Sequence, residues 1–313
     1  MTESFIIAIK AVIAWFILFA LVSLVFAFIY PSVHSLIKKA STKKRLMLNF
    51  GFAISQFLVP TSVLLLYSFP EFSQHFVGFH CHGSECGPHS LHLPVDSKLG
   101  SGVLITMAIV ICAIVSLLLT QFVKTRKYLR LMQQLADDSH HSDYKVFNTD
   151  KLLAWCAGLI KTQVFISEGL VAKLNPKQLN FVLAHEYAHA LGHDNIKKLL
   201  VKWLLILWPQ KNAKLLTRLI ELDLEVICDR RAAQGRFSKA ELVEVFDLIS
   251  KEVTPSRDAK HNCLSHIEYR MRHFSEMHSQ SSYLAWFCLF FVAFVLLFVL
   301  AQFAHPALEW LLR

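Results

Sequence analysis

The sequence predicts an α-helical membrane protein: four transmembrane helices and, facing the cytoplasm, a mainly helical α+β domain. Three observations carry that prediction. Hydrophobic residues make up 54% of the 313 positions, and the mean hydropathy is +0.44, above the norm for soluble chains. Four apolar stretches, 11–30, 46–69, 101–123 and 283–303, reach the roughly 20 residues a helix needs to cross a bilayer. The basic residues between them are sharply partitioned.

The first stretch is too long for a signal peptide, and no small-residue cleavage site follows before Tyr30-Pro31, so a retained span is expected. Lys38, Lys39, Lys43, Lys44 and Arg45 fill loop 31–45, and Lys124, Arg126, Lys127 and Arg130 follow the third stretch. Arg270 and Arg272 precede the fourth. Segment 71–100 has only Lys98, and the tail after 303 has only Arg313. Lysine and arginine gather in cytoplasmic loops, so both termini are expected outside, with 31–45 and 124–282 in the cytoplasm. Lys10 is the one mild dissent. The organisation expected is 1–123 with three spans, 124–282 as the cytoplasmic domain, and 283–313 as the fourth span and a short tail. The same partition accounts for the net charge of +9 and removes the need for direct nucleic-acid binding.

Within 124–282, "DDSHHSD" (137–143) reads as a linker. "TQVFISE" (162–168), β-branched and aromatic between Gly158 and Gly169, reads as a strand. Asn175-Pro176 is a helix start, an N-cap followed by proline, and Gly192 a helix stop. "LLVKWLLILW" (199–208) is too short to span and reads as a core helix or one lying on the membrane surface. Further helices are expected over 213–233 and 238–251.

The helix from Pro176 contains "HEYAH". His185 and His189, four residues apart, project from one helical face, a spacing that lets two imidazole nitrogens reach one Zn²⁺. Glu186 lies beside the ion, placed to take a proton from a water that zinc has acidified. Downstream, "ELDLEVICDRRA" (221–232) sets Glu225 and Asp229 one turn apart. Glu225 fits as the third ligand, and Asp229 as the acceptor that orients a ligand imidazole. Glu221 and Asp223 compete on spacing alone. A solvated acidic helix face is the bland alternative. His193 and Asp194 fit a cap or a backing hydrogen bond. His261, His266, Tyr269 and Arg270 include groups able to stabilise an oxyanion. Cys156 and Cys263 read as core thiols.

"LAHEYAHALGHD" with "EVICD" resembles the BlaR/MecR-type membrane metallopeptidases, whose signature pairs HExxH with E-x-x-C-D, and less closely the HtpX and CAAX-protease-like family, which has E-x-x-A-D. Cys228 stands at the distinguishing position. The resemblance covers roughly residues 155–235. It implies a gluzincin fold with one catalytic zinc on His185, His189 and Glu225, and Glu186 as general base. It also implies a bacterial inner (cytoplasmic) membrane location, a cytoplasmic protein substrate such as a transcriptional repressor, and substrate addition to the strand near 164–167. The β-lactam receptors of that family carry a penicillin-binding domain after the last span. Few residues follow Phe303 here, so antibiotic sensing of that kind is not expected.

Segment 71–100 is the place for a sensor. "HFVGFHCHGSECGPHSLH" brings together His75, His80, Cys81, His82, Cys86, His89 and His92, soft and borderline ligands that suit copper or zinc. Cys81 and Cys86 equally fit a disulfide, and an unremarkable loop is the third reading. Three functions stay open. One is a signal-transducing zinc endopeptidase that inactivates a repressor in response to an outside signal such as a metal ion. The others are an HtpX-like quality-control protease and a non-proteolytic metal sensor.

Overall fold

The computed structural model describes residues 2–68, 81–82, 85–86, 144–159, 161–234, 236–250 and 257–274, and scattered positions within 105–127 and 287–302. Side chains are described for these except 2–11, 67–68, 81–82, 85–86, 249–250 and 257–264. The expected third and fourth spans fall mostly outside the described residues, although every described position within them is helical. The linker 137–143 lies wholly outside.

Two long helices, α1 (Thr2–Ile37) and α2 (Thr42–Ser68), pack as a hairpin around the basic turn at 38–41. Val12–Ile37 and Thr42–Leu66 are long and apolar enough to cross a membrane. Helix α1 does not stop before Pro31; it runs through it. Proline cannot donate to the carbonyl four residues back, that of Ala27. The Asn212 side chain donates there instead, at 2.7 Å, so no buried acceptor is orphaned. Across the hairpin Trp15 Nε1 donates to Thr61 Oγ1 (2.9 Å), Ser23 Oγ to Gln56 Oε1 (2.9 Å) and Tyr30 to Asn49 Oδ1 (3.0 Å). Such bonds between helices in lipid contribute about 0.6–2 kcal/mol each.

Short strands β1 (Cys81–His82) and β2 (Glu85–Cys86) pair antiparallel, with Cys81 directly opposite Cys86. Cα atoms so paired lie about 4.5–5.5 Å apart, within reach of either a disulfide or a shared ion. His80 and His89 lie outside the described residues.

A three-stranded sheet follows: β3 (Tyr144–Phe147), β4 (Ala154–Ala157) and β5 (Gln163–Ser167) in the order β3-β5-β4. The expected strand is present, and it is central, parallel to β3 and antiparallel to β4. Both of its edges are therefore occupied, which corrects the expectation that substrate adds to 164–167. Among the described residues, β3 and β4 are the edge strands, and β4 is the one that packs against the helix containing HEYAH.

Helices α3 (Glu168–Lys173), α4 (Pro176–Gly192), α5 (Asp194–Leu204), α6 (Gln210–Ala233), α7 (Lys239–Ser250) and α8 (Arg257–Phe274) complete the fold. Asn175 and Gln178 form a reciprocal capping box at the start of α4, with Pro176 at the first helical position, as the sequence indicates. The left-handed residue that ends α4 is His193 (φ 51°), one position after the expected glycine stop. Gly192 is small for another reason: a Cβ there would lie 2.8 Å from Asp194 Oδ1.

The apolar segment 199–208 is a core element and not a span. Val201, Leu205 and Trp208 are buried against Val22, Phe26, Tyr30 and Phe52 of the hairpin. Trp208 donates to Gln56 Oε1 (2.7 Å), and Gln56 Nε2 donates to the Leu204 carbonyl (3.1 Å). The turn between α5 and α6 thus sits beside Ala27, about 16 Å of helix rise from Lys38. The non-helical backbone of that turn is enclosed by protein. A second core, built on Ile166, Leu170, Phe181, Val182, Leu242, Val245 and Phe246, joins the sheet to α4 and α7.

Candidate metal centre

Helix α4 packs on α6, and their facing sides meet at three side chains. His185 Nε2 and His189 Nε2 are 3.2 Å apart; Glu225 Oε2 is 3.2 Å from the first and Glu225 Oε1 3.4 Å from the second. Ligands around a tetrahedral ion at about 2.0–2.1 Å are separated by about 3.3 Å. The two imidazole nitrogens, with one carboxylate oxygen of Glu225 facing each, surround a point at the spacing zinc requires, and the donor set of two imidazoles and a carboxylate suits it.

The other imidazole nitrogens are held from behind. His189 Nδ1 lies 2.8 Å from Asp194 Oδ2. His185 Nδ1 lies 2.9 Å from Asp229 Oδ1 but off the line of a well-formed hydrogen bond. Carboxylates at Nδ1 keep the protons there and turn the Nε2 lone pairs towards the shared point. Asp194, the first residue of α5, reaches back because the left-handed His193 reverses the chain. Lys197 Nζ fixes its other oxygen at 2.8 Å. Cys228 Sγ is 3.3 Å from His189 Nδ1 and 3.5 Å from Asp194 Oδ2. That Nδ1 already faces Asp194, so the thiol braces this pair and does not build a second ion site.

Asp223, a rival for the ligand role on spacing, is turned away. Arg45 Nε reaches Asp223 Oδ1 and Oδ2 at 3.1 and 3.0 Å, Arg45 Nη2 reaches Oδ1 at 2.5 Å, and Tyr269 donates to Oδ1 at 2.9 Å. Arg270, an oxyanion candidate in the sequence, is instead bidentate to Asp229 (2.7 and 2.5 Å), with Nη1 3.6 Å from Glu225 Oε2. Of the three oxyanion candidates with described side chains, His266 is left: half-buried, one helical turn before Arg270, and within the field of Glu225. His261 and Cys263 have side chains outside the described residues.

The electrostatics follow from this packing. Burial opposes charge on His185 and His189, but the Asp229 and Glu225 carboxylates beside the first, and the bonds that the second donates to Asp194, Cys228 and Glu225, outweigh it. The pKa values rise to about 10 and about 11. Glu225 is held well below the carboxylate range despite its burial, by hydrogen bonds from both imidazoles. Asp229 is lowered against its burial by Arg270 and His185. Burial pushes Glu186 upward, with the two histidines opposing, the direction a general base working near neutrality needs. Burial, then the charges of Glu186 and Asp194, pushes the Cys156 thiol up to about 12, so it is a neutral core thiol, as its sequence context suggests.

Sequence reasoning missed Asn195. Its amide donates to the carbonyls of Cys156 (3.1 Å) and Gly158 (3.0 Å). Ser167 N–H bonds to Leu153 O (2.9 Å), so alternate residues of β4 face β5. The carbonyls that Asn195 takes are therefore on the outer edge, towards which Ala154 and the Cys156 N–H also face. No motif spacing marks this contact, because it joins a helix start to a strand edge through tertiary packing.

Residues 123–219 match the family model described as Peptidase family M48. The chain is similar to the BlaR/MecR-type metallopeptidases. The curated relatives include the methicillin resistance mecR1 protein of Staphylococcus aureus and that of Staphylococcus epidermidis, each 30% identical over 74 residues. The aligned segment is 23% of this chain and 13% of the relative's length. The matched M48 segment contains both histidines of HEYAH and ends before Glu225, so the carboxylate rests on the geometry.

Proposed function

We propose that this chain is an integral membrane zinc endopeptidase with its site on the cytoplasmic side. The observation that carries the reading is the triangle of His185 Nε2, His189 Nε2 and Glu225 carboxylate oxygens, 3.2–3.4 Å on a side. Bound there, zinc would supply a Lewis acid that polarises a scissile carbonyl and acidifies water. Glu186 takes the proton of the attacking water on a carboxylate oxygen and passes it to the departing amine. Asp229 and Asp194 hold the two imidazoles, and Arg270 holds Asp229 and borders Glu225. His266 donates to the oxygen on which negative charge develops. The peptide lies as an added strand along the open part of β4, between Ala154 and Cys156.

Four spans, termini outside and a 124–282 cytoplasmic domain complete the topology, supported by the two spans described and by the partition of basic residues. The substrate is a cytoplasmic protein, of the transcriptional-repressor class, cleaved when segment 71–100 meets a signal. The register of Cys81 against Cys86 supports a disulfide between these cysteines. Nothing among the described residues supports a second ion at that loop. The depth of the α5–α6 turn favours a second reading, quality control of membrane proteins, since it fastens the site close to the bilayer.

Glu186→Gln tests the proposal. The variant should retain about one zinc per chain and lose cleavage by at least about a hundredfold, the general-base contribution. Full cellular function in that variant would remove every proteolytic reading and leave a metal sensor.

A further inference from the structure

A cavity of about 780 Å³ opens where the hairpin meets α8, lined by His34, Lys38, Lys39, Arg45, Arg272 and His273 among others. Its size falls within the range of small-molecule sites. Arg45 is neutralised by Asp223. Lys38, Lys39 and Arg272 make no ion pair among the described residues, and Glu268 is the one carboxylate in the lining. His34 Nδ1 is buried in this wall with no hydrogen-bond partner. Three free cations and an unsatisfied imidazole nitrogen around one concavity call for an anion with several oxygens, as a phosphate has.

The cavity's place decides the source of that phosphate. Leu24 and Phe28 of α1 are 42% and 71% exposed. At three- and four-residue helical spacing the same exposed stripe runs on through Pro31 and Ser35 to Lys38 at the cavity. A lipid lying along that stripe would bring its headgroup to the cavity mouth. We infer that this cavity binds the phosphate headgroup of an anionic membrane phospholipid through Lys38, Lys39, Arg272 and His34. The ligand would rest on Arg45, whose other side holds Asp223, two residues before Glu225. Headgroup occupancy is thereby joined to the helix that carries the metal carboxylate. The inference rests on the membrane reading of α1 and α2, and is independent of peptidase activity.

The test uses the full chain in a neutral detergent and reads lipid binding by native mass spectrometry. The probes are dioctanoyl phosphatidic acid, dioctanoyl phosphatidylcholine and inorganic phosphate. Phosphatidic acid should bind about tenfold or more tighter than phosphatidylcholine. The pair Lys38→Gln and Lys39→Gln should weaken it by about tenfold, and Arg272→Gln by about fivefold, the contribution of a cation near an anionic headgroup. Lys239→Gln, the same charge change on α7, should leave binding unchanged. Zinc content and melting temperature of each variant establish that it is folded, and Arg272→Lys should restore binding. Equal binding of both lipids, or no loss in the cavity variants, overturns the inference. Inorganic phosphate binding as tightly as phosphatidic acid overturns the lipid assignment in favour of a soluble phosphate. Failure of Glu186→Gln to abolish cleavage would sink the peptidase reading and leave this result standing.

Discussion

At the scale of single residues, the centre depends on small adjustments behind the ligands. Gly192 leaves the space that Asp194 needs to reach His189 Nδ1. Gly192→Ala places a Cβ against a carboxylate already fixed by His189 and Lys197, so the carboxylate must move. Zinc affinity should fall by about 10–100-fold, the usual cost of disturbing such a partner; competition against a fluorescent chelator measures it, and wild-type affinity would discard this role for Gly192. Protons compete for the same atoms. In the zinc-free protein, the raised pKa values of His185 and His189, about 10 and about 11, make their protonation stabilising. That contribution is complete below their unfolded value of about 6.5 and is lost as pH rises through the folded values. Glu225, Asp229 and Asp194 have lowered pKa values, so their contribution is present above about pH 4 and is lost below it. Zinc requires neutral imidazoles and must displace those protons. The gap in melting temperature between zinc-loaded and zinc-free protein should therefore widen from about pH 6 to about pH 8, and a gap that narrows would contradict the cluster's electrostatics.

At the scale of elements, local signals located the site helix well. Asn175-Pro176 and the HExxH spacing are properties of one helix, and α4 begins and ends where they indicate. The pair Glu225 and Asp229 is also a one-helix property, and its place beside the two histidines was legible once HEYAH had been read. Choosing Glu225 over Asp223 was not decided by spacing; it depends on Arg45, 178 positions away in sequence, which takes Asp223. The position of the strand within its sheet was hidden for the same reason, since β-pairing is set by partners and not by composition. The Arg45–Asp223 pair is fully buried and fastens the turn between the spans to α6. Arg45→Met leaves an unpaired buried carboxylate and should cost about 3–5 kcal/mol, whereas adding Asp223→Leu should restore most of that loss. Chemical unfolding in detergent would show it; a double variant as unstable as the single would mean that the pair is valued for its packing alone.

At the scale of the whole molecule, hydropathy marked α1 and α2 as long and apolar enough to span a membrane, but not that the segment after α5 packs between them. Segment 199–208 was legible as too short to span, yet what buries it is the interior of the hairpin, and only the folded chain brings those surfaces together. Gln56 is the joint. It accepts from Ser23 and Trp208 and donates to the carbonyls of Ala53 and Leu204, so one side chain ties both spans to the α5–α6 turn. Gln56→Leu has a similar volume and removes all of these bonds. It leaves the Trp208 N–H and the Leu204 carbonyl buried without partners, at a cost of about 1–3 kcal/mol for each group. The ligand triangle lies on other faces of α4 and α6, so zinc content should be retained while the melting temperature falls and the 205–209 turn becomes open to proteolysis. If the spans served only as an anchor, loosening this joint would leave any response to segment 71–100 intact. If they transmit, the response should fail in Gln56→Leu while basal cleavage persists, because segment 71–100 follows α2 in the chain and α6 packs on the hairpin. Measuring basal and stimulated cleavage side by side in that variant separates a tethered peptidase from a signalling one.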